Sequence, residues 1–279
     1  MIRKFIAAFA LIFFVTSTAF AADKIKTGAD WDRGLLIAEG VAVGPAKLKD
    51  NKRFYKNFAR QGAQLDALRN LAEYITPFQN FSDAENVIRT KVSLEEPLMK
   101  IIENGARQIG DAIFSDDGAC TVYMSLPLFG ENSLAQTLCL SLKSQEKENF
   151  PQPTTLKKIS ENYTGLIVDC RGFEVWRDLT PKISYKISEK DSVDVYGPKY
   201  LDFNKIGDTF INQGMVSYVR NMSGATRAGK NPLVIKAVDC KAGDVYISVD
   251  DAVLILNANR TSDFLDKAAV VFLCGSFTN

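Results

Sequence analysis

The sequence predicts an α+β protein in two parts, and three observations carry that prediction. The stretch "NKRFYKNFARQGAQLDALRNLAEYI", ending at Ile75, has helical periodicity over its whole length. Around it, and throughout the second half, short apolar runs either alternate with polar residues or continue unbroken, which are the two strand patterns. Between the halves, Leu142 to Lys158 is charged, carries Pro151 and Pro153, and has almost no apolar periodicity. It reads as a polar linker. The division is therefore an N-terminal α+β domain over 22–141, a linker over 142–158 and a mixed α/β domain over 159–279.

Residues 1–21 are expected to be a signal peptide. Arg3 and Lys4 form a positive n-region, Phe5 to Val15 is an apolar run, and Ala19-Phe20-Ala21 is an A-x-A site, so cleavage falls between Ala21 and Ala22. The apolar run is short beside the ~20 residues a membrane span needs. No cysteine precedes Cys120, so no lipid acceptor stands at the cleavage site. The expected mature chain is periplasmic, not lipidated, and has no transmembrane span.

In the first half, "GLLIAEGVAVGPA" reads as a strand broken by small residues. Within the long helix, Phe54, Phe58, Leu65, Leu68, Ala72 and Ile75 recur on one face, the expected core face. Ala59, Ala63 and Ala67 form a second row, whose small side chains let a helix lie close to a sheet. Pro77 ends the helix. A second helix is expected over roughly Ala84 to Asn104, interrupted by Pro97. "ARQIGDAIF" and "ACTVYMSLPLF" read as a hairpin turning at "SDDG". In its second strand Cys120, Val122, Met124, Leu126 and Leu128 are expected inside, with Thr121, Tyr123 and Ser125 outside. The result is one sheet with helices on one face.

In the second half, "YTGLIVDCRG" contains a continuous apolar run, expected of a strand covered on both faces. "KISYKIS" alternates, with Ile183, Tyr185 and Ile187 inside. "SVDVYG", "GMVSYV", "NPLVIKAVDC" and "AAVVFLC" are further strands. "SVDDAVLILNAN" is a helix capped by Ser248 with Asp251 three residues on, and its apolar stripe is Val249, Ala252, Val253 and Leu256.

Composition narrows the chemistry. The formal charge is +1, and becomes −1 once Arg3 and Lys4 leave with the leader. Such a chain has no global field to gather nucleic acid. There is no histidine, so the usual general base, the Ser-His and Cys-His nucleophile pairs and the commonest metal ligand are missing. Of the five cysteines, Cys120, Cys139, Cys170, Cys240 and Cys274, no two stand at C-x-x-C spacing. The odd number leaves at least one unpaired within the chain.

Three motifs bear on function. "GATRAGKN", from Gly224, spells a phosphate-binding loop up to its last position. There Asn231 replaces the Ser or Thr that would hold magnesium, and Pro232 and a strand follow where a helix should start. It reads as an accident, and no cofactor is implied. "VDC" occurs twice after an apolar strand, at 168–170 and 238–240. If those strands are parallel neighbours, Asp169 and Asp239 emerge at one sheet end, as a metal or acid–base pair would. The simpler reading, that each Asp ends its strand, is preferred. The same placement makes Cys170 and Cys240 the best disulfide candidates. Trp31 and Trp176, beside charged residues, read as partly buried at a domain edge, with exposed interface anchors as the alternative. Asn80, Asn162, Asn221 and Asn259 each begin an N-x-S/T triplet, which matters only in a glycosylating pathway.

The pattern Ala59-Arg60, Ala63, Asp66-Ala67 and Leu71 after "GVAVG", with "IRTKV" at Ile88 to Val92 and a strand ending "LPLFG", resembles two bacterial envelope families. These are the twenty-kilodalton outer-membrane lipoproteins (the Lpp-twenty type) and the N-terminal domain of flagellar assembly protein T. The likeness covers about 34–130. The second half resembles the extension that often follows this module in exported bacterial proteins. The resemblance implies a non-enzymatic periplasmic scaffold or assembly factor, flagellum-associated in one version, working with envelope or basal-body proteins or with itself. It transfers no catalytic residue, and this chain lacks the relatives' lipidated cysteine. The basic off-core side of the long helix, with Arg60 and Arg69 as its test positions, is the expected interface. The acidic Glu146 and Glu148 of the linker are a second element able to orient the halves. The alternatives are a small-ligand or metal module at Asp169 and Asp239, and a histidine-free hydrolase.

Overall fold

A computed structural model describes residues 25–75, 95–241 and 243–275. The leader with its Ala21–Ala22 site, Pro77, Asn80, "IRTKV" and the start of the second expected helix lie outside the described residues.

The first half is an antiparallel sheet of order β1-β2-β4-β3, built from β1 (Gly28–Asp30), β2 (Leu35–Val43), β3 (Arg107–Phe114) and β4 (Ala119–Pro127). Helix α1 (Lys52–Ile75) lies across β2 and β4, and α2 (Glu95–Gly105) follows. Pro97 falls in the first turn of α2, where its missing N–H costs nothing.

In the C-terminal part of α1 the expected face holds, with Ile75 buried and Leu68 and Ala72 packed against the core, but before it α1 turns a different face inward from the one its larger apolar residues mark. The buried row is Ala59, Ala63, Ala67, Leu71 and Ile75. Phe54, Phe58 and Leu65 are 55%, 47% and 69% exposed. The cause is the close approach of helix to strand. A Cβ on Gly40 of β2 would stand 2.1 Å from the Ala63 carbonyl oxygen. Only small side chains fit a seam that tight, so the alanine row takes it. Two polar contacts fix the seating: the Val41 amide donates to Asp66 Oδ2 at 3.0 Å, and Asn70 Nδ2 donates to the Glu39 carbonyl at 2.7 Å.

The expected alternation in β4 is also incomplete. Tyr123 and Ser125 are buried along with Val122, Met124 and Leu126. β4 is an inner strand, so Tyr123 stands between Glu39 of β2 and Ile109 of β3, and Ser125 beside Arg107.

A third helix, α3 (Leu134–Lys143), capped by Ser133, leads out of this sheet. The segment that follows reads as a linker by composition but is held along the second half. Phe150 stacks on Tyr200 with ring centroids 5.2 Å apart, and the Glu148 amide donates to the Lys199 carbonyl. Asn257 Oδ1 accepts from the Lys157 amide, while its Nδ2 donates to the Thr155 carbonyl. Glu148 is ion-paired with Lys199 at 3.7 Å, so its charge is directed at the second half.

The second half contains two four-stranded sheets where one mixed sheet was expected. The first has the order β8-β12-β5-β9, from β5 (Gly165–Asp169), β8 (Ser217–Val219), β9 (Pro232–Lys236) and β12 (Val270–Leu273), all parallel. The second is mixed, with order β10-β11-β6-β7, from β6 (Ile183–Lys186), β7 (Ser192–Tyr196), β10 (Asp239–Lys241) and β11 (Asp244–Ile247). β5 and β12 are buried almost throughout, as their unbroken apolar runs require. Ile187 lies beyond the end of β6 and is exposed, against expectation.

Helix α4 (Phe203–Gln213) packs on α3, which joins the halves. Helix α5 (Val249–Ser262) begins as its capping box requires: Ser248 Oγ accepts from the Asp251 amide at 3.0 Å. Ala252, Val253 and Leu256 are buried, but Val249 at the first position is exposed. Most buried apolar side chains of both halves form one continuous cluster, and Ile167, Ala225, Ala228, Val271 and Leu273 form a second, smaller one.

Candidate functional site

The outer face of α1 is the most unusual surface of the first half. Residues 54, 58 and 65 are separated by four and seven positions, so their exposed side chains make one apolar stripe. Beside it opens a shallow hollow of about 720 Å³ lined by Arg53, Phe54, Lys56, Asn57, Arg60, Asp111, Ala112 and Phe114. Lys56 Nζ sits over the Phe114 ring, 4.9 Å from its centroid. Three cations face one carboxylate here, so the hollow favours an anionic guest.

The two expected interface arginines do not share this site. Arg60 lines the hollow. Arg69 lies nine positions later, about two and a half turns, which puts it on the opposite side of the helix. There it pairs with Asp66 at 2.9 Å and Glu73 at 3.6 Å. Sequence periodicity alone had grouped them as off-core.

The loop "SGATRAGKN" is a joint of the second half. It contains two single 3-10 turns, Met222–Gly224 and Thr226–Ala228, and leads into β9 with no helix between. Arg227 Nε donates to the Ala268 carbonyl at 2.7 Å, and both terminal nitrogens reach the Gly214 carbonyl at 3.1 Å. Thr164 Oγ1 donates to the Ala228 carbonyl and accepts from the Asn231 amide. Lys230 is exposed. The backbone is thus committed to internal bonds, and the arginine, not the lysine, is the structural cation.

The strands preceding the two "VDC" triplets, β5 and β9, are indeed parallel neighbours. The carboxylates nevertheless go separate ways. Asp169 aligns with Lys236 and is gripped by Arg171 at 2.8 and 2.7 Å, which holds its carboxyl below the usual range. Asp239 begins β10 in the other sheet and takes a 2.9 Å bond from Lys186, which lowers it likewise. Among the described residues no group of three His, Cys, Asp or Glu side chains is placed to hold a metal ion.

The cysteines of the same triplets do come together, and a third joins them. The Cys170 thiol lies within interaction range of those of Cys240 and Cys274, and all three pack in one core cluster. Cys274 follows β12 as Cys170 follows β5, and the Cys170 amide donates to the Leu273 carbonyl at 2.9 Å. Each sulfur leans back on the carbonyl two residues earlier, Val168 for Cys170 and Phe272 for Cys274. Cys170 and Cys274 are buried, whereas Cys240 is partly exposed; all five cysteines are thiols. The neighbouring sulfurs and burial push the Cys170 thiol up. Cys120 and Cys139 are buried apart, in the first half.

Trp31 is half-buried where the halves meet, against Phe129 and Tyr218. Arg177 lies 5.7 Å from its ring centroid and pairs with Asp32 at 3.0 Å. Trp176 is also half-buried. Asn259 is buried, with Oδ1 accepting from the Leu265 amide, so its triplet is closed to modification in the folded chain.

Residues 165–276 match the family described as Treponema pallidum Tp0624, second domain. No curated protein matches the chain. The matched span starts at the first residue of β5 and takes in both sheets of the second half. The first half lies outside it.

Proposed function

We propose that this is a non-enzymatic protein of the bacterial cell envelope that works by docking a partner on the outer face of α1. The observation that carries the reading is the exposed stripe of Phe54, Phe58 and Leu65 beside the basic hollow of Arg53, Lys56 and Arg60. Three large apolar side chains on one helix face leave about half or more of their surface in water. Desolvating them against a second surface is favourable. The adjoining charge selects the partner: an envelope protein whose contact surface is an apolar ridge bordered by carboxylates. The leader-like layout of 1–21 supports action after export, in the periplasm. The resemblance of the first half to outer-membrane lipoproteins and flagellar assembly protein T directs the search to outer-membrane and basal-body proteins. The Tp0624-like second half is then a companion module carried by the same chain.

The test is site-specific photo-crosslinking in the native envelope, with the reactive side chain at position 58. A discrete heavier adduct is expected. It should be lost when Phe54 and Leu65 are both changed to Ser, and the extracted complex should weaken as salt is raised. An adduct of twice the chain's own mass would replace the partner by a second copy. Absence of any adduct from positions 54, 58 and 65 would end the docking reading.

A further inference from the structure

Three thiols gather at the end of β5. Cys240 is partly exposed, whereas Cys170, within reach of both others, and Cys274 are buried, and all three pack in the same core cluster. We propose that they form a thiol–disulfide exchange site, in which Cys170 is the shared member of two alternative bonds, Cys170–Cys240 and Cys170–Cys274.

The backbone brings both partners toward Cys170. Cys170 and Cys274 follow directly on neighbouring parallel strands. Such strands run about 4.8 Å apart, within the span of ~4.4–6.8 Å that a disulfide bridges between Cα atoms. Cys240 arrives by another route. After β9 the Ala237 amide donates to the Asp169 carbonyl, and the chain then crosses into the second sheet, where Cys240 lies on β10. The two bonds therefore differ in what they join. Cys170–Cys274 stays within one sheet, whereas Cys170–Cys240 staples that sheet to the other.

Access orders the chemistry. Only Cys240 can meet a disulfide from outside, either a small one or that of a thiol oxidoreductase. Its thiolate attacks one sulfur of that disulfide, forming a mixed disulfide and releasing the other sulfur as a thiolate. Cys170 then loses its proton to that thiolate or to water and attacks the Cys240 sulfur. This closes Cys170–Cys240 and expels the second outside thiol. Overall, two protein thiols are oxidised and one outside disulfide is reduced to two thiols. In a third step Cys274, deprotonated, attacks Cys170, and Cys240 leaves and recovers a proton. That exchange consumes no oxidant. It stores the disulfide inside and returns Cys240 to the surface as a free thiol able to form a mixed disulfide with a partner.

The experiment uses the mature chain, reduced and then equilibrated with glutathione disulfide. Free thiols are alkylated, and the linkages are mapped by mass spectrometry after trypsin. Cleavage at Lys158, Arg171, Lys236, Lys241 and Lys267 puts Cys170, Cys240 and Cys274 on separate peptides. Two linked pairs sharing the Cys170 peptide are expected, with Cys120 and Cys139 fully alkylated. Cys274→Ala should leave only Cys170–Cys240. Cys240→Ala should slow oxidation of Cys170 by about tenfold or more, because the remaining thiols are buried. Circular dichroism checks that each variant is folded, and the unmutated chain decides the question if one is not. A Cys170 that stays fully alkylated, a Cys240–Cys274 bond, or a lone Cys170–Cys240 bond that never exchanges would overturn the proposal.

Discussion

A side chain at Gly40 would collide with the backbone of α1, since its Cβ would lie 2.1 Å from the Ala63 carbonyl oxygen and 2.3 Å from the Ala67 nitrogen. Both obstacles are main-chain atoms and cannot rotate aside. Gly40→Ala should therefore destabilise the protein by about 3 kcal/mol, the upper part of the range for overpacking. Urea unfolding should show a lower midpoint at unchanged slope. A variant as stable as the parent would mean that helix and strand are not in backbone contact.

That contact explains what the sequence could and could not disclose. The existence of α1, the hairpin at "SDDG" and the capped α5 are local matters, legible from periodicity and turn chemistry. Which face of α1 points inward is not local. Both the phenylalanine row and the alanine row repeat with helical period, and the choice falls to Gly40, on an element 23 residues before Ala63. The candidate thiol site divides the same way. The approach of Cys240 to Cys170 was legible only in part, because β5 and β9 are neighbours but Cys240 lies beyond β9, on β10 of the other sheet. Cys274 required knowing that β12 inserts between β5 and β8, and strand order is not written in any strand's own residues.

The segment after α3 depends on one buried side chain. Asn257 is 3% exposed and bonds to the backbone at Thr155 and Lys157 as well as to the Val253 carbonyl. Asn257→Ala should cost about 1 kcal/mol by removing these hydrogen bonds. It should also speed hydrogen exchange at the Lys157 amide and proteolysis between 150 and 158. Unchanged proteolysis would assign the hold to Phe150 and Pro153 instead.

The phosphate-loop spelling makes a sharp contrast between neighbours. Arg227→Ala removes a largely buried cation bonded to two carbonyls and should cost about 2 kcal/mol. Lys230→Ala, on the exposed side of the loop, should stay within about 0.5 kcal/mol of the parent. Titration with magnesium and adenine or guanine nucleotides should show no saturable binding. Micromolar binding abolished by Lys230→Ala would reverse the assignment.

The ion pair between the halves sets a pH dependence. The Arg177 guanidinium holds the Asp32 carboxyl below its ordinary value, first by hydrogen bonding and then by charge. A carboxylate whose pKa is lowered by folding stabilises the folded state above its unfolded pKa of about 3.9, and that contribution is lost as pH falls through the lowered value. Asp32 is 62% exposed, so the stabilisation is small. Asp32→Asn should reduce stability by a near-constant amount between about pH 5 and 8, and the difference should shrink as pH falls from about 4 through the lowered value. A difference that persists undiminished at acid pH would assign the effect to packing around Trp31.

The two arginines of α1 should respond oppositely to charge reversal. Asp66 accepts a hydrogen bond from the Val41 amide and is paired with Arg69, which also reaches Glu73. Arg69→Glu places three carboxylates on one strip of helix and disturbs the residue that ties α1 to β2. It should cost about 0.5–1 kcal/mol, with part recovered as salt screens the repulsion. Arg60 lines the hollow beside the apolar stripe. Arg60→Glu should leave stability within about 0.5 kcal/mol of the parent yet reduce adduct formation from position 58, because it reverses a charge facing the partner. Thermal unfolding and crosslinking yield, measured on the same pair of variants, separate the two roles. Loss of crosslinking with Arg69→Glu alone, at unchanged stability, would move the docking surface to the other side of the helix and away from Phe54 and Phe58.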